Sequence, residues 1–290
     1  MCLLGGREMT MTKMAVVGAG TMGKGIAFSA AAAGLSVKMH DVSNEALKQA
    51  QIYVKDQFER LVKKEKITRE QATKRFEGIQ FTNELKEAVY DCDLVIEAVL
   101  EVMELKTSIF KQLDEFAPAH AILATNTSTM SPTEIAAQTM RPDQCLALHF
   151  FNPVPKMKLI EVICGLETSE DTIDKAMRFG ESIGKECVRI NEFPGFAVSR
   201  MNCLIGNEAM NMVMEGVATP EDIDKAMKLG LNHPMGPLEL ADLVGLDTRL
   251  RNMEYLYKTL GEKYRPCPIL TKYVKAGRLG RKSGRGFYTY

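Results

Sequence analysis

Several features that would direct a chain to a particular partner are missing from this one. Its 37 Lys and Arg residues are balanced by 37 Asp and Glu, so no overall field draws it to nucleic acid or to an anionic membrane. Any anionic ligand has to be met locally. Its seven cysteines, at 2, 92, 145, 164, 187, 203 and 267, form no CxxC pair and no zinc-like spacing with histidine, which argues against a metal site built on them. They read as small buried hydrophobes of a reducing compartment, and a cytoplasmic location is expected. No apolar run reaches the length of a membrane span. The opening residues carry neither a basic segment nor a long apolar one, so no signal peptide is expected there. Repeats and low-complexity tracts are also lacking.

What is present is a regular alternation. A length of 290 residues exceeds one average domain and falls short of three, which makes two the natural expectation. From Lys13, β-type runs alternate with helix-like segments: 13–17, 36–41, 93–97, 121–124, 145–149 and 158–163. That rhythm implies crossover helices and a parallel, doubly wound α/β sheet. Helix starts are marked by Ser131-Pro-Thr-Glu134 and Thr219-Pro-Glu-Asp222, where the hydroxyl can cap, Pro fits the first turn and the acid can reach back. After Phe193-Pro194-Gly195 the alternation stops and helical patterns take over at 201–217, 221–229, 238–244 and 248–260. The expected organisation is an extension over 1–12, a Rossmann-type dinucleotide domain over 13–194 and an all-α domain over 195–290.

The sharpest local signal is Gly18-Ala19-Gly20-Thr21-Met22-Gly23, which follows the first strand and opens an Ala-rich helix from Thr21 to Ala33. Gly18 permits the tight turn, Gly20 lets the backbone approach a pyrophosphate, and Gly23 allows helix and strand to pack closely. The helix N-terminus then offers unpaired N–H groups and a favourable dipole to the phosphates. A second run ends at Asp41, at the spacing from the glycines where an acid reads the ribose 2′-hydroxyl. The next residues are Val42, Ser43 and Asn44, with no Arg to receive a 2′-phosphate. NAD is therefore expected rather than NADP.

A second constellation lies in Leu148-His149-Phe150-Phe151-Asn152-Pro153, where a histidine ends a β-like run. In open α/β sheets ligands bind at that edge. Glu161 stands inside Leu159-Ile160-Glu161-Val162-Ile163, and a carboxylate in such surroundings must be paired or neutralised. Two adjacent strands could bring it against His149. The carboxylate would fix the tautomer and stabilise the imidazolium, leaving the other ring nitrogen to exchange a proton with a hydroxyl. An internal ion pair that merely braces the sheet is the alternative; it accounts for Glu161 but not for a histidine at the ligand edge.

These residues, with Asn126-Thr-Ser128, Asp224-Lys-Ala-Met-Lys-Leu-Gly230, His233-Pro-Met-Gly-Pro237 and Gly280-Arg-Lys-Ser-Gly284, resemble the L-3-hydroxyacyl-CoA dehydrogenases over 13–290, and the closing stretch 264–290 looks closest to the bacterial 3-hydroxybutyryl-CoA enzymes. The resemblance implies His149 as general base and acid, Glu161 as its orienting partner and Ser128 as a donor to the reacting oxygen. It further implies that Glu101, Lys106, Asn126, Asn152 and Lys282 approach the cofactor, although composition alone reads Glu101, Lys106 and Lys282 as solvated charges. For an acyl-CoA substrate it points to Gln57 and Lys64 on a helical arm, beside Ser128 and Asn152, and to a homodimer face on the helical domain. Helical spacing of Met201, Met210, Met212 and Met214 by itself suggests core, and Lys63, Lys64 and Lys66 by themselves suggest an exposed face. Two departures stand out: Gln57 replaces a Ser of some relatives, and Ser199 replaces the family's Asn before Arg200. Ser199 could contact substrate directly or through water, or leave the role to Asn202 or Asn207. A structural protein of the crystallin type and a related hydroxyacid dehydrogenase are the competing readings. Ser128, His149 and Glu161 together disfavour the first, and His149 in place of a Lys base disfavours the second.

Overall fold

Alternation of buried residues across both faces of one sheet organises the first part of the chain. The computed structural model describes residues 11–290; residues 1–10 of the expected extension lie outside them. Met11 packs on the core and the Thr12 N–H donates to the Asp93 carboxylate at 2.8 Å, so these two residues of the expected extension belong to the fold. Eight strands, β1 Lys13–Val17, β2 Ser36–His40, β3 Ile79–Thr82, β4 Leu94–Glu97, β5 Ile122–Thr125, β6 Cys145–Phe150, β7 Leu159–Cys164 and β8 Glu186–Asn191, form a single sheet in the order β3-β2-β1-β4-β5-β6-β7-β8. Along β1, Met14 and Val16 enter one core while Ala15 and Val17 enter the other; β4 divides Leu94 and Ile96 from Val95 in the same way. Burial on both faces explains the continuous apolar runs, each fully buried Val, Ile or Leu contributing about 1.5–3 kcal/mol.

The expectation of a parallel sheet needs correction. β6 and β7 pair antiparallel, and β8 pairs parallel to β7, so the last two strands run against the other six. A parallel return needs a crossover of about a dozen residues or more, and 151–158 is too short to make one. Both strands that the sequence reading omits, β3 and β8, are the sheet's edges. Apart from Ile79 their residues are half-buried or exposed, and they are partly polar, as edge strands tend to be.

Helices α1 Thr21–Ala32, α2 Asn44–Lys63, α3 Arg69–Glu77, α4 Leu85–Val89, α5 Met103–Phe116, α6 Pro132–Ala136 and α7 Glu170–Ser182 cover the sheet's two faces. At Ser131 the hydroxyl accepts from the Glu134 N–H at 3.0 Å, as expected of a cap. The reciprocal bond is absent from the described contacts there; Thr68 and Gln71 form the complete capping box instead, opening α3. The structure divides between Glu192 and Phe193. The second unit contains α8 Val198–Met214, α9 Pro220–Gly230, α10 Pro237–Val244, α11 Leu246–Leu260 and α12 Pro268–Lys275 around their own core, which includes Met210, Leu238, Leu246, Met253 and Leu270. No helix among the described residues is long and apolar enough to cross a membrane.

Candidate active site

The strand order reverses between β1 and β4, and the crevice beyond their carboxyl ends is where ligands bind in sheets of this kind. The glycine loop leaves β1 at that point. Gly18 has φ +107°, and a Cβ on it would lie 2.6 Å from the Ala98 carbonyl oxygen; a Cβ on Gly23 would lie 1.8 Å from the Gly18 carbonyl oxygen. Both are therefore required by the fold itself. Gly20 differs: its φ of −68° suits any residue, and a Cβ there meets nothing within 4 Å. Beyond it α1 opens with no side-chain cap and no acid in its first turn, which leaves backbone N–H groups at Thr21, Met22 and Gly23 for an anion. The loop thus fits a dinucleotide pyrophosphate.

Asp41 follows β2 and is already engaged. Its Oδ2 accepts from the Ala19 N–H at 2.7 Å and its Oδ1 from the Ser43 N–H at 2.8 Å. An ionised carboxylate has about four acceptor sites, so it can brace the loop and still read a ribose.

On the other side of the switch point a dense cluster forms at the ends of β4 and β5. Lys106 of α5 is fully buried, which overturns its reading as a solvated charge. Its ammonium lies 2.8 and 3.0 Å from the Glu97 oxygens and 3.3 Å from Glu101. Glu97, also fully buried, accepts from Thr125 Oγ1 and the Val99 N–H, each at 2.7 Å. Glu101, part-exposed, accepts from Thr127 Oγ1 at 2.5 Å and the Ser128 N–H at 2.9 Å. Glu97 is the residue the sequence reading missed. The Asn126 side chain accepts from the Phe150 N–H at 3.0 Å, tying the end of β5 to that of β6.

His149 and Glu161 stand directly opposite in the β6–β7 ladder, with Nδ1 2.7 Å from Glu161 Oε2. Their backbone register, rather than a loop, sets that contact. Glu161 is fully buried, and the Phe151 ring packs 4.4 Å from the imidazole centroid. A carboxylate against Nδ1 makes that nitrogen the protonated one and Nε2 the basic one. Asn152 is exposed and precedes Pro153 through a cis peptide. The chain just beyond is held by buried Lys185, which donates to the Val154 and Met157 carbonyls at 2.6 and 2.7 Å; burial pushes its pKa down.

Gln57 is half-buried on α2, whereas Lys64 caps that helix and is exposed; the helix ends inside the basic cluster rather than running through it. In the second unit Ser199 is half-buried in the first turn of α8. Asn207 is committed elsewhere: its side chain accepts from the Cys267 N–H at 2.8 Å and donates to the Arg265 carbonyl at 3.1 Å, so it pins the approach to α12. The Lys282 ammonium lies 2.5 Å from Asp247, whose pKa is lowered; the desolvation that opposes this is outweighed by the lysine and a backbone donor.

Comparison with known proteins accords with this geometry. Residues 13–193 match the NAD-binding domain of 3-hydroxyacyl-CoA dehydrogenase and residues 195–290 match its C-terminal domain. The chain is 52% identical over 283 residues to a probable 3-hydroxybutyryl-CoA dehydrogenase of Bacillus subtilis (strain 168), covering 97% of this chain and 98% of that protein. It is 38% identical over 291 residues to the mitochondrial hydroxyacyl-coenzyme A dehydrogenase of Homo sapiens, with 98% and 93% covered. The crystal structure of (S)-3-hydroxybutyryl-CoA dehydrogenase from Ralstonia eutropha is similar with a TM-score of 0.93 at 44% identity, covering 97% of this chain and 99% of that one. With both domain matches in chain order and relatives aligned over nearly their whole length, the chain belongs to the 3-hydroxyacyl-CoA dehydrogenase family.

Proposed function

We propose that this chain interconverts (S)-3-hydroxyacyl-CoA and 3-ketoacyl-CoA, with short acyl chains such as 3-hydroxybutyryl as substrate and NAD as cofactor. The observation that carries the reading is the His149–Glu161 pair, 2.7 Å apart at the same sheet edge as the glycine loop. Gly20 and the first turn of α1 would hold the pyrophosphate and Asp41 the adenosine ribose, with Glu101, Asn126 and Asn152 toward the other half and buried Lys106 behind Glu101. NAD supplies the hydride acceptor when bound. His149 Nε2 takes the C3 hydroxyl proton as the C3 carbonyl forms, and Glu161 stabilises the resulting imidazolium through Nδ1. In the reductive direction the same imidazolium returns the proton. Ser128, whose backbone is fixed by Glu101, presents a hydroxyl for the reacting oxygen. Gln57 and Lys64 serve the CoA moiety, whose phosphates the exposed Lys63, Lys64 and Lys66 would also attract.

Oxidation of NADH by acetoacetyl-CoA tests this directly. The expected outcome is turnover with NADH well above that with NADPH, falling by about 10²–10⁴ in His149→Gln while NADH binding stays close to the original. Turnover retained in that variant would sink the proton-transfer role. A homodimer is part of the proposal: Met201, Met214, Val217, Leu229 and Leu231 of the second unit are apolar and exposed, and sedimentation would reveal a pair. So is a cytoplasmic location, in keeping with six free cysteines among the described residues.

A further inference from the structure

Two of the fully buried charges in the first unit sit one step behind the cofactor edge, where they cannot themselves face solvent. Glu97 and Lys106 are both 0% exposed and make two contacts of 2.8 and 3.0 Å with each other. Glu97 receives two further donors, Thr125 Oγ1 and the Val99 N–H, so its acceptor sites are filled from within the protein. Lys106 reaches past it to Glu101 at 3.3 Å, and Glu101 is the member whose side chain is 36% exposed. A buried pair of this kind is weak evidence for stability, because well-packed apolar residues serve as well or better. Its presence calls for another account.

The charge count supplies one. Glu97, Lys106 and Glu101 carry two negative charges and one positive. Because Glu97 neutralises the ammonium, the negative charge of Glu101 is left uncompensated at the end of β4. Without Glu97, Lys106 would neutralise Glu101 and the edge would carry no net charge. With one half of a dinucleotide held by the glycine loop and Asp41 over β1 and β2, the nicotinamide half would cross the switch point to the β4–β5 side. The two redox forms differ there by one unit, since the oxidised ring is a cation and the reduced ring is neutral.

We propose that Glu97 is a charge-setting residue: by neutralising buried Lys106 it leaves Glu101 as a net negative charge that strengthens binding of NAD⁺ relative to NADH. The inference rests on the NAD-dependent reading above. It assigns Glu97 no contact with either form, only a bias between them, and so favours the oxidised cofactor on the protein.

Dissociation constants for NAD⁺ and NADH, measured separately by calorimetry at low ionic strength, test it without reference to turnover. In Glu97→Gln the ratio Kd(NAD⁺)/Kd(NADH) should rise on the order of tenfold or more, as loss of one net negative charge beside a cationic ring would cause at low ionic strength. In the double variant Glu97→Gln/Lys106→Met the edge again carries one negative charge, on Glu101, and the ratio should return close to the original. Contacts shared by both forms cancel in this ratio, so a purely structural role for Glu97 would move both constants together. An unchanged ratio in the single variant would overturn the proposal. Should Glu97→Gln fail to fold, the double variant decides: both charges are gone from the interior, and a ratio raised as in a neutral edge would refute the charge argument. Failure of the unsubstituted chain to bind either nucleotide would instead sink the dehydrogenase reading.

Discussion

Replacing Gly20 by Ala should leave the fold intact and remove nucleotide binding, whereas the same change at Gly18 or Gly23 should damage the fold. At Gly20 the backbone already lies in a region open to every residue, and the added methyl meets no protein atom within 4 Å. Loss of unfolded-state freedom then favours Ala by about 0.4–1 kcal/mol. A pyrophosphate seated on the first turn of α1 would meet that methyl, so NADH affinity should fall by a factor of about 100 or more, equivalent to losing roughly two hydrogen bonds to a charged group. At Gly18, φ of +107° alone costs an L-residue about 1–3 kcal/mol. The methyl also lands 2.6 Å from the Ala98 carbonyl oxygen, whose residue is itself tied to β1 by a 2.7 Å backbone bond. Gly23→Ala would force α1 off the strand, with an overpacking penalty of at least about 1–3 kcal/mol. Denaturant midpoints and NADH titrations on the three variants separate the two losses. Gly20→Ala binding NADH normally, or unfolding as readily as Gly18→Ala, would refute the reasoning.

Asp41→Ala should narrow the gap between NADH and NADPH by removing a repulsive charge, and should also weaken NADH binding, because the Ala19 N–H loses its 2.7 Å acceptor; paired titrations check both, and an unchanged preference would mean that Asp41 does not read the ribose. His40, at the end of β2, has its pKa lowered by burial. The unfolded chain therefore takes up a proton more readily, and the stability His40 contributes is complete above about pH 6.5 and is lost as pH falls toward its folded value; the slope of stability against pH below that point should flatten in His40→Gln. Ser199→Ala should lower kcat/KM by on the order of 1 kcal/mol if the hydroxyl meets substrate, and no change in steady-state kinetics would remove it from the site.

The central strands were legible because residues buried on two faces leave a continuous apolar run, whatever their neighbours. Edge strands carry no such mark. β3 and β8 pair on one side only, and their half-exposed residues resemble loop or helix surface. The direction of β7 was legible in principle, since the short stretch 151–158 cannot carry a parallel return. Placing Glu161 in an apolar run required only that it find a partner, and the ladder provides His149 directly opposite. Asn207 was not separable from other helical amides, because its partners at 265 and 267 come from a segment far along the chain.

Lys106 shows where a local rule was available and outweighed by composition. A lone lysine on a charged helix usually lies in solvent. Yet the apolar stripe of α5 runs through Ile109, Phe110 and Leu113, which stand three, four and seven positions beyond Lys106 and are buried with it. Helical spacing therefore puts the lysine on the face that meets the sheet. A cation there must find a carboxylate on the strands beneath, and β4 ends in Leu-Val-Ile-Glu97. A buried helix lysine requires a strand carboxylate just as buried Glu161 requires His149, and Glu97 is the one that β4 offers. The position of Glu101, one short loop farther along the same strand end, then gives a cluster with one charge too many. That surplus is what a cationic ring approaching this edge would meet first.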